Sequence, residues 1–296
     1  MKAVMKVSMA AFLIVLMVAG VTYGQDKLRV FTGILPQKFF VEQIGKGAVD
    51  VDVMVQPGAS PHTYEPRPQQ MVAISRAKLY FAIGVQFENV WLKRIASSNP
   101  SMKIIKTHEG IERVPMMGHD HEEEGGHQGH SHEGSAPDPH IWLSPPLVLI
   151  QARNILSALQ EADPSNFDLY EANYRDLVSR VISIDSELRN IFKDKKGISF
   201  MVFHPAWGYF ARAYGLSQIP VEIEGKEPKP SQLQRLIQDA KARNVKVIFT
   251  QPQFSTRSAE QVAREIGGQV ITVDPLALDW VENMREVAEK FKAGLR

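Results

Sequence analysis

Histidine and carboxylate dominate the chemistry this sequence can offer, and they are distributed in two ways. The stretch GHDHEEEGGHQGHSHEG, Gly118 to Gly134, places His119, His121, His127, His130 and His132 within 17 residues, together with four glutamates and one aspartate. Imidazole and carboxylate ligate borderline and hard divalent cations, so this stretch has metal affinity. It also has five glycines and no large apolar residue. A segment of that composition buries too little surface to offset the entropy of ordering its own ligands. Its sites are expected to be weak, and a tight site is to be sought elsewhere.

Apart from the insert and His108, three histidines remain. His62 lies in QPGASPHTYEPRP, His140 in PDPHIWLSP and His204 in MVFHPAWGYF. Each has a proline one residue away that restricts the backbone, and a fixed loop can hold a metal ligand still. Any one of them taken alone reads as a loop histidine satisfied by hydrogen bonds; three in parallel settings argue for more. Asp274, in VDPLALD, is a fourth candidate that alone reads first as a helix cap. Three neutral imidazoles and one carboxylate would form an N3O shell suited to Zn²⁺ at about 2.0–2.2 Å per ligand. With no cysteine in the chain, a thiolate site is excluded.

The elements that must position these residues alternate. Leu28 to Ile34, Val51 to Val55 and Lys78 to Gly84 read as strands, and Pro36 to Gly45 and Pro68 to Arg76 as helices. After the insert, Pro146 to Glu161 reads as a helix. From Ser165 to Phe192, Tyr170, Tyr174, Leu177, Val181, Ile184, Leu188 and Ile191 recur at three- and four-residue steps, which predicts one long helix. Strands then resume at Ile198 to His204, Leu216 to Val221, Lys246 to Thr250 and Gln269 to Val273. Helices between and after them are expected at Ala206 to Tyr214, Ser231 to Arg243, Ser255 to Ile266 and Asp279 to Lys292. The pattern predicts an α/β protein of two lobes, each a parallel-type sheet flanked by helices, joined by one long backbone helix. The expected division is 25–163 for the first lobe with its insert at 118–134, 164–196 for the linking helix and 197–296 for the second lobe. In open parallel sheets ligands lie beyond the carboxyl ends of strands. His62 and His140 would then come from the first lobe, His204 and Asp274 from the second.

Residues 1–24 differ from the rest. Lys2 and Lys6 precede an apolar run from Val7 to Val21 that gives way to small and polar residues, the layout of a signal peptide ending near Gly24. The run is shorter than the roughly 20 residues that span a bilayer. The remainder carries 32 basic and 33 acidic residues, net −1. Nothing in that balance points to nucleic acid or an anionic membrane. Without cysteine there is neither a disulfide framework nor a lipid-modified N-terminal cysteine, so a free periplasmic protein fits best.

The motifs PHTYEP, DPHIWL, FHPAWGYF and VDPLA, the long helix after the second of them, and VEIEGKEPKPSQL resemble the metal-binding subunits of bacterial ABC importers, in particular the ZnuA-like zinc branch. The resemblance runs from about residue 27 to 292. It implies two α/β lobes bridged by a long helix, one zinc ion in the cleft as the transported ligand, and a membrane permease as partner. It places the ligands at His62, His140, His204 and Asp274, and it accounts for the insert, since zinc-branch members often carry a histidine-rich loop between the first two ligands. SPH replaces the DPH of many relatives, so Ser60 supplies no carboxylate. Manganese-type relatives tend to have glutamate at the third position, and His204 favours zinc. The protein is expected to act as a monomer.

Three rivals remain. A zinc hydrolase would need a general base beside the metal, yet no HExxH occurs: His121 begins HEEEG and His132 begins HEGSA. Glu65, three residues after His62, is the conceivable base. A manganese or iron binder or an adhesin could use the same scaffold, and a histidine-rich buffer would make the insert the main site. For a histidine site, affinity is expected to fall below about pH 6.5.

Overall fold

The computed structural model describes residues 26–116, 137–222 and 228–295. The expected signal peptide and the insert's five histidines lie outside the described residues.

Two four-stranded parallel sheets form the frame. The first contains β1 (Leu28–Thr32), β2 (Val49–Val53), β3 (Leu79–Ala82) and β4 (Lys103–Lys106), in the order β2-β1-β3-β4. The second contains β5 (Ser199–Val202), β6 (Ser217–Pro220), β7 (Val247–Thr250) and β8 (Gln269–Thr272), in the order β6-β5-β7-β8. Position in the sheet explains the residue patterns. VDVDV of β2 alternates buried valine with exposed aspartate, as an edge strand does, whereas LYFA of β3 and VIFT of β7 are buried throughout between helical layers. Each expected strand is present, most of them ending one or two residues earlier than the apolar run.

The helices are α1 (Leu35–Gly45), α2 (Pro68–Ile74), α3 (Gln86–Ser98), α4 (Pro145–Ala162), α5 (Phe167–Phe192), α6 (Gly208–Tyr214), α7 (Pro230–Ala242), α8 (Arg257–Ile266) and α9 (Trp280–Gly294). The 26 residues of α5 make a rod of roughly 39 Å. Tyr170, Leu177, Val181, Ile184, Leu188 and Phe192 form its buried stripe, while Tyr174 and Ile191 are only partly covered. That stripe packs on α4 and α1 beside the first sheet and on α9 beside the second. One apolar core therefore runs from Phe40 and Phe81 through Leu159 and Leu177 to Phe249 and Phe291. A second, smaller cluster, with Leu236, Ile248 and Val262, lies under α7 and α8. The long helix is more than a connector, since opening the lobes along it would expose part of this shared core.

The loop after β3 is held from within. Glu88, on α3 and 2% exposed, accepts hydrogen bonds from the Ile83 and Gly84 backbone N–H groups at 3.0 and 2.6 Å and from Tyr80 Oη at 3.0 Å. Gly84 has φ +89°, where a side chain would be strained. Burial raises the Glu88 carboxyl from its ordinary 4.5 to about 7, with the Gly84 and Tyr80 bonds opposing. An acid whose pKa is higher folded than unfolded loses stabilising power as pH rises from 4.5 through 7. The full cost is roughly 3 kcal/mol above that window. Glu88→Gln can keep the two N–H bonds on its amide oxygen and replace the third by donating from Nε2 to Tyr80 Oη. Its stability relative to wild type should rise between pH 5 and pH 8 in thermal unfolding. A difference that is flat with pH would refute this account.

Candidate metal centre

Three loops bring three histidines together at the carboxyl ends of the strands. His62 follows β2, where the Pro61 carbonyl accepts from Phe87 N at 3.2 Å and so hangs the loop from the start of α3. His204 lies two residues beyond β5, with Gln251 Nε2 donating to its carbonyl at 2.7 Å. His140 opens a single turn of 3₁₀ helix, Ile141–Leu143, whose apolar residues are all buried.

A ligand-capable atom of His62, His140 and His204 lies within 4.8 Å of the others. The facing atoms are Nε2: His204 Nε2 is 2.9 Å from that of His62 and 3.3 Å from that of His140. The three Nδ1 atoms face outward to acceptors. Asp138 Oδ1 lies 2.7 Å from His140 Nδ1, Glu222 Oε1 2.7 Å from His204 Nδ1 and Gln86 Oε1 3.1 Å from His62 Nδ1. An amide or carboxylate oxygen can only accept, so each Nδ1 carries the proton and each Nε2 presents a lone pair to the centre. Three lone pairs at such separations repel one another unless a cation lies among them. Two imidazoles on a tetrahedral zinc, at about 2.0–2.1 Å each, would have their nitrogens about 3.3 Å apart.

The surroundings disfavour protonation of His62 and His204. Burial, then the neighbouring His204, lower the His62 pKa from 6.5 to about 4. Burial also lowers that of His204, with Glu222 opposing. Protons therefore compete for His62 only near pH 4. The pocket, about 20 Å³, is walled by Pro139, Trp142, Phe254 and Pro275 among others. Phe254 stacks on the His204 ring at 5.0 Å.

Asp274 is not brought into this cluster. Its Oδ1 accepts from Leu276 N and from Gln253 Nε2, each at 2.9 Å. It lines a neighbouring cavity of about 250 Å³ between residues 55–59 and 274–278. The short turn at Pro275 draws the carboxylate onto its own backbone, closer to the capping role that an isolated aspartate suggests. Glu65, the conceivable base, is exposed. Ser60 Oγ accepts from His62 N at 3.3 Å and helps to shape the ligand's turn.

The His140 turn is bonded to the second lobe: Trp142 Nε1 donates to Pro275 O and Trp280 Nε1 to Trp142 O, each at 2.7 Å, and Tyr209 Oη donates to Asp138 O at 3.0 Å. The turn thus bridges the lobes: it leads directly into α4 beside the first sheet, and Asp138 N donates to Val114 O at 2.8 Å, while the tryptophan and Tyr209 bonds tie it to the lobe that carries His204. Sequence reasoning missed the three residues that orient the imidazoles. Asp138 was in view, two residues before His140 in PDPH, but Glu222 and Gln86 lie 18 and 24 residues from their histidines and gave no local signal.

Two parallel-sheet lobes, a helix that shares their core and a histidine-lined pocket between them define a solute-binding protein for a small cation. The chain matches the family described as zinc-uptake complex component A periplasmic (ZnuA) over residues 30–294, and it belongs to that family. The high-affinity zinc uptake system protein ZnuA of Bacillus subtilis (strain 168) is 32% identical over 258 residues, 85% of this chain and 79% of the relative. The zinc-binding protein AdcA of Streptococcus pyogenes serotype M3 is 29% identical over 264 residues, and the match spans about half of its length, 51%. A crystal structure of ZnuA, 42% identical, covers 92% of this chain and 100% of that one with a TM-score of 0.83.

Proposed function

We propose that this protein captures Zn²⁺ in the periplasm and delivers it to the permease of an ABC importer, with His62, His140 and His204 as ligands through Nε2. The observation that carries the reading is the convergence of three Nε2 lone pairs, each fixed by an acceptor on Nδ1. Three neutral nitrogens suit zinc better than manganese, which favours oxygen. Asp274 would have to swing towards the pocket to complete the shell, away from the Leu276 N and Gln253 bonds that now hold its Oδ1. Otherwise the fourth position is left to water. We read the protein as a monomeric carrier without catalytic activity or nucleic-acid partner, a reading that membership of a zinc-uptake family supports for the carrier role. The insert's His119, His121, His127, His130 and His132 serve as an accessory that collects ions loosely. Its return strand runs into His140: Asp138 N donates to Val114 O at 2.8 Å, and Val114 N to Tyr209 Oη at 3.1 Å.

The test is a zinc titration against a chromogenic chelator, with and without residues 118–134, followed by competition with Mn²⁺. One tight equivalent should survive the deletion and resist Mn²⁺. Loss of that equivalent on deletion would move the main site to the insert, and displacement by Mn²⁺ would reassign the metal.

A further inference from the structure

We infer that His62 is the ligand that lets the ion go, and that Gln86, through its hydrogen bond to His62 Nδ1, sets how fast it does so. The inference rests on the proposed coordination by three imidazoles. It comes from an asymmetry among their partners. His140 and His204 each donate Nδ1–H to a buried carboxylate at 2.7 Å, from Asp138 and Glu222. His62 donates to a neutral amide at 3.1 Å, and Gln86 is exposed. An anionic acceptor draws the proton away from the ring and raises the donor strength of the opposite nitrogen, more so where water is excluded. A neutral, solvated amide does this weakly.

Charge and mechanics point the same way. Two carboxylates behind the ligands balance one divalent cation. A third would leave an excess negative charge and hold the cation harder. Mechanically, Trp142, Trp280 and Tyr209 tie the His140 turn to the lobe that carries His204, while the His62 loop hangs from the first turn of α3, the helix that also carries Gln86. Movement of the first-lobe loop would take His62 off the ion and leave the other two ligands in register. The weakest donor is thus also the one placed to move.

The experiment loads the full chain with one equivalent of Zn²⁺ and follows its transfer to excess chelator by stopped flow, together with the association rate. Gln86→Glu keeps the shape of the side chain and adds an acid in the first turn of a helix, which the helix dipole tolerates. Release should slow by about 10-fold, the lower end of the usual effect of an outer partner, with association changed by less than about twofold. Gln86→Leu should speed release. Asp138→Asn, as the reference, should speed it more. A purely steric role for Gln86 predicts instead that the Glu and Gln forms behave alike. Release from Gln86→Glu that is unchanged or faster, at an unchanged melting temperature, overturns the inference. His140→Ala in the same assay separates the two levels. If it retains the slowly released equivalent, the three-imidazole site itself is wrong. If it loses that equivalent while Gln86→Glu behaves as wild type, only the role given to Gln86 fails.

Discussion

His140→Ala should remove chelator-resistant zinc binding, with a loss of affinity above about 100-fold, since removing even an outer-shell partner costs about 10–100-fold. The site has only three converging imidazoles, and two cannot hold zinc against water at four-coordinate geometry. The substitution also leaves the Asp138 carboxylate without its Nδ1–H partner, though His140 N still donates to it at 2.9 Å. A stability cost of about 1–3 kcal/mol is expected on that account. The titration is therefore read well below the melting temperature, with circular dichroism as the control for folding. Weak binding of several further equivalents should persist, contributed by the insert. Tight binding retained by the folded variant would sink the assignment.

Trp280→Ala is expected to have the largest effect on stability. Its ring is 1% exposed, stands edge-on to Phe40 with centroids 5.4 Å apart, and donates Nε1–H to Trp142 O. Truncating a buried tryptophan costs about 3–5 kcal/mol. Because Trp142 in turn donates to Pro275 O, the loss reaches the turn that carries His140. Trp280→Phe should cost less, retaining most of the buried ring but losing a hydrogen bond worth about 1 kcal/mol. Urea unfolding of the three proteins measures both steps. Zinc affinity should fall along with stability in the alanine variant. A cost for Trp280→Ala below about 1 kcal/mol would show that the two tryptophans do not clamp the turn.

The parts legible in the sequence were those with local causes. Proline beside histidine is a local signal, and His62, His140 and His204 each carried it. The 3.6-residue recurrence along α5 needed no tertiary information either. Less was legible in α3, where QFENVWLKRIASS buries only Phe87, Glu88 and Ile95, and in β4, whose KIIK has a lysine at each end. The second coordination layer was silent because a hydrogen bond between residues 18 or 24 apart depends on how loops are juxtaposed. Asp274 shows the converse: its position after β8 was read correctly, but its carboxylate turned back onto Leu276. The bonds from Trp142 and Tyr209 that join the His140 turn to the far lobe were silent too, since they link residues far apart along the chain.

The antiparallel bridge between Pro115 and Pro137 has a consequence for how such a protein can change over generations. Chain that departs and returns at adjacent points can lengthen or shorten without disturbing what lies below it, and closure entropy rises by only about 0.6 kcal/mol for each doubling of the length enclosed. The tract between those prolines is thus open to rapid drift in length and histidine content. A lineage could retune its scavenging to the metal supply of its habitat while the three pocket imidazoles, and the residues bracing them, stay as they are.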